Sequence, residues 1–366
     1  MTRISWTTPV PYSLLSFLFL FVPVCAFPLQ MTTSVTGLYR HAVKGLSADT
    51  LDSVTVRTRG ETFPDDRRFA LLKAKNANQF DPAAPEWLHK GNFLCSFSDP
   101  VFMANYRTTY SIRLGGPTER STAEGDDEEE SFATPIDIVD TTQQSPVPTQ
   151  RLLTVHDRGS SNDAPPLLGP IDLGTKEGRA EIGAFFSKES GSTVLCVSAE
   201  QQKQRHTHQF GNTSSGVKAL GDTRTIHIVN AATVRELGET IGRPLNPSRF
   251  RPNMVVDGLE PWKEFDWVGK ELVVTATTTT GNDDDDDNRL PMRLSVLKRT
   301  VRCEGISIDP TEQPKEDGTR DVLDMPSLLS KHYPQHGPFF GVYAAIIEPG
   351  TVRLGDCLIQ VEERQV

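Results

Sequence analysis

The sequence predicts a mostly β chain with a few helices, of the α+β class, and three observations carry that expectation. Short runs rich in Val, Ile, Thr and aromatic residues recur between Gly, Pro and Asp turn signals. Apolar and polar residues alternate strictly at Met292, Leu294 and Val296, the period of a half-buried strand. Helical spacing is confined to a few stretches, residues 175–188, 231–242 and 325–332.

A chain of 366 residues is long enough for two domains, and 37% hydrophobic content supports an ordinary core. The net charge of −10 is local in origin: Glu124 with residues 126–130 supplies six acids and residues 283–287 supply five. Removing those eleven from the 48 acidic residues leaves 37 against 38 basic ones, so the body is near neutral. Both runs lie among Gly, Ser, Thr and Asn and cannot bury apolar surface, which makes them solvated insertions. Nothing in this balance points to nucleic acid.

Residues 7–29 carry no charge and hold an apolar stretch at 14–22, after Arg3 and before the small-residue pattern Val24-Cys25-Ala26. That reads as a secretory or organelle-targeting signal peptide; a membrane anchor interrupted by Pro23 and Pro28 and a true start at Met31 remain open. Targeting to a plastid or other organelle, or membrane association, follows from the first two readings, and a cytoplasmic protein from the third.

From Ser34 the elements follow in order. Residues 35–39, 53–58 and 68–73 read as strands, with RHAVKGLS (40–47) and GETFPDDRRFALL (60–72) placing Lys44, Arg67 and Arg68 at successive strand ends. On composition alone these bases suit solvated surface positions. Residues 115–150 turn to Pro, Ser, Thr and acid, an insertion; residues 151–155 resume a strand, and 163–173 read as loop. Thr175 is placed to cap the helix 175–188, whose Ile182, Phe185 and Phe186 share a face. His206 and His208 lie in a polar loop without a visible third ligand, and Asn212-Thr213-Ser214 is a glycosylation sequon. A strand at 224–229 leads to Asn230, an N-cap for the helix 231–242. The C-terminal residues 341–362, with a Pro349-Gly350 turn, read as β-hairpin material.

Of five cysteines, none forms a CxxC pair, which argues against a zinc site, an iron-sulfur cluster or a disulfide framework, and suits a reducing compartment. Cys303 stands apart because Lys298, Arg299 and Arg302 precede it in the sequence LSVLKRTVRCEGISIDP (294–310). Cations favour the thiolate, the nucleophilic and metal-binding form. A buried core cysteine is the competing reading, since free Cys packs as a small hydrophobe. Cys25 belongs to the leader, and Cys95, Cys196 and Cys357 lack such a basic setting.

The order of VTGLYRHAVKGLS (35–47), DDRRFAL (65–71), RFRPNMVVDG (249–258) with Trp262 and Trp267 beyond it, KRTVRCEGISIDP (298–310) and FFGVYAAIIEPGTVRLGD (339–356) resembles a MOSC-domain protein with an N-terminal MOSC β-barrel domain. That group includes the mitochondrial amidoxime-reducing components and the bacterial YcbX-type proteins, the latter being closer in detail. The resemblance implies a leader at 1–30, an N-terminal MOSC β-barrel domain at 33–155 with an insertion at 116–150, connecting helix and loops at 156–214, and a MOSC domain at 215–363 with an insertion at 279–289. The N-terminal barrel is expected to pack against the MOSC barrel, with the cofactor cleft between them.

It further implies a molybdenum cofactor, a molybdopterin, with Cys303 as the catalytic protein ligand of molybdenum; a soft thiolate suits that metal. By motif, Lys44, Arg67, Arg251 and Arg302 match the positions that face the anionic cofactor, Asn253 and Tyr343 its polar contacts, and Asn230 a neighbouring segment. Arginine forks match phosphate oxygens in pairs, and lysine serves as a point charge. The implied activity is reduction of small N-hydroxylated or N-oxide compounds. An external electron-donor protein is then required, because no iron-sulfur cluster or flavin is expected on this chain. A cofactor carrier or a sulfur-transfer module is the second reading; the pyridoxal phosphate associated with the cofactor sulfurases belongs to a separate domain that has no counterpart here. Two departures from the mitochondrial pattern are Gly45, where a serine follows the lysine, and Thr311-Glu312-Gln313 after the Asp-Pro pair.

Overall fold

The computed structural model describes residues 33–81, 88–114, 149–199, 210, 224–276 and 289–361. The leader, both acidic runs, His206, His208 and the sequon lie outside the described residues. In chain order the first strands are β1 (Thr33–Arg40), β2 (Asp49–Leu51), β3 (Ser53–Val56), β4 (Phe69–Lys73), β5 (Phe93–Leu94), β6 (Tyr106–Leu114), β7 (Thr149–Asp157), β8 (Leu168–Asp172) and β9 (Val194–Ser198). They are followed by β10 (Ile226–Asn230), β11 (Met254–Asp257), β12 (Glu271–Thr275), β13 (Met292–Val301), β14 (Phe339–Glu348), β15 (Gly350–Arg353) and β16 (Cys357–Gln360). The helices are α1 (Pro100–Ala104), α2 (Lys176–Ser190), α3 (Ala231–Thr240) and α4 (Met325–His332).

Seven strands close a ring in the order β1-β11-β10-β14-β13-β12-β16, with β16 pairing back to β1. Closure removes the unpaired edges that an open sheet would present. Alternation supplies the interior: Leu272 and Val274 on β12 and Met292, Leu294 and Val296 on β13 are buried in one cluster with Val35, Leu38, Ile226, Ile228 and Val342. The one parallel pair described in the ring, β10 with β11, requires a crossover, and α3 provides it. Asn230 starts that helix as its N-cap, its Oδ1 accepting from the Ala232 N–H at 3.0 Å. Thr175 caps α2 in the same way, accepting from the Gly178 N–H at 3.0 Å.

The ring draws on both ends of the chain: β1 completes it beside strands from the C-terminal half, within one compact unit that runs from Thr32 onward. The other strands form the sheets β5-β4-β9 and β6-β7-β8 and the pair β15-β3. Two local expectations change. Residues 163–173 are not all loop, because β8 adds to β7 there. The C-terminal strands do not form a hairpin: β14 lies between β10 and β13, β15 crosses to β3, and β16 joins β12 and β1. Gly350 allows that departure by bringing its backbone so close to Leu290 and Met292 that a Cβ would stand 2.7 to 2.8 Å from their atoms.

Candidate functional site

Three loops carry the bases to one place. Lys44 follows β1, where its N–H donates to the Phe69 carbonyl at 2.8 Å and Val43 bridges to Phe69. Arg67 precedes β4, and its N–H donates to the His41 carbonyl at 2.7 Å. Arg251 ends a 3-10 turn over Pro247–Phe250, just before β11. Both arginines hold left-handed backbone, with φ of 50° and 52°. For a side chain with a Cβ that costs about 1 to 3 kcal/mol, a strain the surrounding hydrogen bonds must hold in place. Asn253 does much of the holding: fully buried, it accepts from Arg67 Nη1 at 3.2 Å and from the His227 N–H at 3.1 Å, and donates to the Tyr39 carbonyl at 3.2 Å.

These bases are short of acids. Asp66, buried, accepts from Arg67 and from the His41 N–H. Lys44 Nζ donates to the Phe210 carbonyl at 2.7 Å, but burial pushes its pKa down to about 8, with Arg67 and Arg251 adding to the fall and Cys95 and Cys303 opposing it. Burial, then Arg67 and Arg302, push Arg251 down to about 9. Its guanidinium has no acceptor among the described residues. Arg302 is lowered by burial and favoured by Tyr343 and Cys303; its Nη2 donates to the Phe250 carbonyl at 2.7 Å, while Nε has no partner among the described residues. Four cations are thus held partly out of water at a cost that an anion would offset.

Cys303, half-buried, follows β13 and begins a 3-10 turn, Glu304–Ile306. Its Sγ lies within 3.6 Å of where a Cβ on Gly305 would stand, so glycine keeps the space beside the sulfur open. The bases that face it are Arg302 and, from far away in sequence, Lys44. Arg299, which sequence proximity had grouped with it, lies instead over the Phe265 ring at 4.4 Å. Among the described residues no three His, Cys, Asp or Glu side chains converge on a metal position. A metal here would have to bring most of its own ligands.

The structure divides the other expected residues. Tyr343 lies beside Arg302, its ring 5.5 Å from that of His227. Asn230 is spent on structure: besides capping α3 it donates to the Glu260 carbonyl at 2.9 Å and to Glu264 at 3.2 Å. Asn253 likewise positions Arg67 and presents no unsatisfied atom of its own. Arg68 turns away to Asp65, which also accepts from Tyr110 and Arg151. Cys95 corrects the reading that its setting is not basic: it interacts electrostatically with both Lys44 and Arg251. Cys196 lies buried on β9, and burial pushes its thiol up to about 12, as expected of a packing residue. Sequence reasoning missed His41 and His227. Both are buried and held well below the usual histidine range by burial, with the cluster's arginines adding to the fall; they bond to the Pro252 carbonyl (3.0 Å) and the Phe340 carbonyl (3.2 Å). The only signal for His41 was its place between Arg40 and Lys44.

Residues 215–358, which carry Arg251, Arg302 and Cys303, match the MOSC domain. Among curated proteins it resembles mitochondrial amidoxime reducing component 2 of Rattus norvegicus, 28% identical over 144 residues, which is 38% of this chain and 37% of that protein. It also resembles mitochondrial amidoxime-reducing component 1 of Xenopus laevis, 25% identical over 153 residues, 40% of this chain and 39% of that one. The chain therefore spans under two fifths of the length of these relatives. Solved structures similar to it include YiiM of Geobacillus stearothermophilus, at 17% identity and a TM-score of 0.25 over 37% of this chain and 54% of that one. The YuaD protein of Bacillus subtilis is 10% identical, with a TM-score of 0.32 over 91% of this chain and 98% of that one. No helix among the described residues is long and apolar enough to cross a membrane.

Proposed function

We propose that the site binds the molybdenum cofactor, with Cys303 as the protein ligand of molybdenum, and that the protein reduces small N-hydroxylated or N-oxide compounds. The observation that carries this reading is the cluster of Lys44, Arg67, Arg251 and Arg302, of which Lys44 and Arg302 face Cys303; it is short of acids, and the Arg251 guanidinium has no acceptor among the described residues. The donors fit such a group. A terminal phosphate would take the unused donors of Arg251 and Lys44, and the soft thiolate would complete a metal that arrives with its other ligands. Bound there, the cofactor would supply two-electron redox chemistry. The chain's own part is to orient and to shield: Asn253 and Asp66 hold Arg67, His227 and His41 fix the backbone that carries Arg251, and Gly305 leaves room at Cys303 Sγ. An external protein would donate the electrons, and residues 33–155 would act with the MOSC domain as the second wall of the cleft. The leader, if used, would direct the protein to an organelle or membrane.

Turnover of an N-hydroxylated amidine with a chemically reduced viologen as donor tests the reading. Wild type should consume reductant in proportion to substrate, and Cys303→Ser should not, with both folded by circular dichroism. Activity unchanged in Cys303→Ser would refute it; molybdenum bound without turnover would match a cofactor carrier instead.

A further inference from the structure

Residues 201–216 are a polar run with one apolar side chain, Phe210. That side chain is buried beside the anion-facing bases, in a cluster with Ala70, Leu72 and Phe93. Its ring centre stands 5.5 Å from that of Phe93 and 5.8 Å from that of the half-buried Phe80. A ring held out of water in this way fixes the backbone that carries it. Both backbone groups of Phe210 are used at the site: its N–H donates to the Arg67 carbonyl at 2.9 Å, and its carbonyl accepts from Lys44 Nζ at 2.7 Å. Phe93, against which Phe210 packs, also lies under Lys44 Nζ, 5.5 Å from ring centre to nitrogen. The Ala199 N–H donates to the Arg68 carbonyl at 2.8 Å, so two separate points of the chain beyond β9 are bonded to the backbone of Arg67 and Arg68.

A lysine ammonium is a point charge with three donors on a flexible four-carbon stem. One donor spent on a fixed carbonyl leaves two for a ligand, and the stem is ordered before the ligand arrives, which lowers the entropy cost of binding. We propose that Phe210 is a positioning residue of the anion site: its buried ring fixes the carbonyl that aims Lys44 at the bound anion. Phe210 acts through Lys44, while its N–H bond to the Arg67 carbonyl docks the segment on the site. The proposal deepens the proposed function and rests on it for the identity of the anion, the terminal phosphate of the cofactor. The positioning itself needs only Lys44 and a phosphate.

The test is calorimetric titration of cofactor-free protein with inorganic phosphate near neutral pH, for wild type, Phe210→Ala, Phe210→Leu, Lys44→Met and the double variant, each checked for folding by circular dichroism. Lys44→Met should weaken phosphate roughly tenfold or more. Phe210→Ala keeps the carbonyl but frees it, and should weaken phosphate roughly threefold to tenfold, whereas Phe210→Leu, which keeps an apolar anchor, should stay within about twofold of wild type. A residue that acts through Lys44 loses its effect when Lys44 is gone, so adding Phe210→Ala to Lys44→Met should change affinity by less than about twofold; a merely structural role would give losses that add. If Phe210→Ala does not fold, Phe80→Ala takes its place in the same cycle, because it loosens the Phe210 ring from its half-buried side. Affinity unchanged in Phe210→Ala, additive losses, or no phosphate bound by wild type would overturn the positioning role. Tighter binding in Phe210→Ala would also overturn it, since the carbonyl would then compete with the anion for Lys44. Molybdenum per chain is measured separately, so a normal metal content beside an unchanged Phe210→Ala removes the positioning role and leaves the cofactor reading standing.

Discussion

Arg251→Met removes a cation that the folded chain holds at a loss, so the cofactor-free variant should be more stable than wild type. Burial together with Arg67 and Arg302 brings Arg251 from 12.5 to about 9. At about 1.4 kcal/mol per unit that difference has an upper limit of roughly 5 kcal/mol. The side chain is only half-buried, and solvent screening reduces the gain to about 1 to 3 kcal/mol. Little is lost in exchange: the guanidinium makes no hydrogen bond among the described residues, and methionine meets the same left-handed backbone, φ 52°, that arginine does. Thermal unfolding of protein made in a host that cannot synthesise the pterin, in a buffer free of polyvalent anions, should show the variant melting a few degrees higher. Adding phosphate should then raise the wild type by mass action and the variant much less, closing or reversing the gap. A variant that melts lower than wild type without anion would refute the reasoning, because Arg251 would then be a structural brace.

Two other perturbations follow from the geometry. Gly45→Ser would restore the residue of the mitochondrial pattern, but Gly45 has φ +92° and its Cβ would stand 2.6 Å from the Cys95 Cα; the variant should lose about 2 kcal/mol or more in urea unfolding. An unchanged midpoint would contradict that packing. Burial lifts the carboxyl of Glu264 to about 7 from 4.5, with Thr233 and Asn230 as its hydrogen-bond donors. The folded state then keeps a proton that the unfolded chain releases between those values, so stability should fall by roughly 3 kcal/mol as pH rises from about 4.5 to 7. Glu264→Gln should flatten that slope, and a slope equal to that of wild type would show that Glu264 is not its source.

Local signals read true where the physics was local. Thr175 and Asn230 cap the helices that their side chains announce, Met325–His332 is helical as its spacing requires, and Met292, Leu294 and Val296 line the barrel. Pairing across the chain was not legible. The run through β8, LGPID, carries no strand pattern and becomes one only because β7 offers it an edge. A Pro-Gly pair between two apolar runs looks like a hairpin turn, yet β14 and β15 part company because β10 and β13 already occupy both edges of β14. At the site, motif order singled out Lys44, Arg67, Arg251 and Arg302 as anion-facing. Which bases face Cys303 depended on tertiary structure: Lys44 arrives from the far end of the chain, whereas Arg299, four residues away, lies over Phe265. Cys95 and the buried histidines escaped notice because their chemistry comes from neighbours distant in sequence.

The most direct measurement of the central claim is molybdenum per chain, by mass spectrometry of protein purified from a host that makes the cofactor, for wild type and Cys303→Ser side by side. A serine hydroxyl is harder and far less acidic than a thiol and supplies no comparable anionic ligand at neutral pH. Wild type should carry close to one molybdenum per chain and Cys303→Ser should lose it, with both proteins folded. Equal molybdenum in the two, or none in a wild type that is folded and purified from a competent host, would contradict the account.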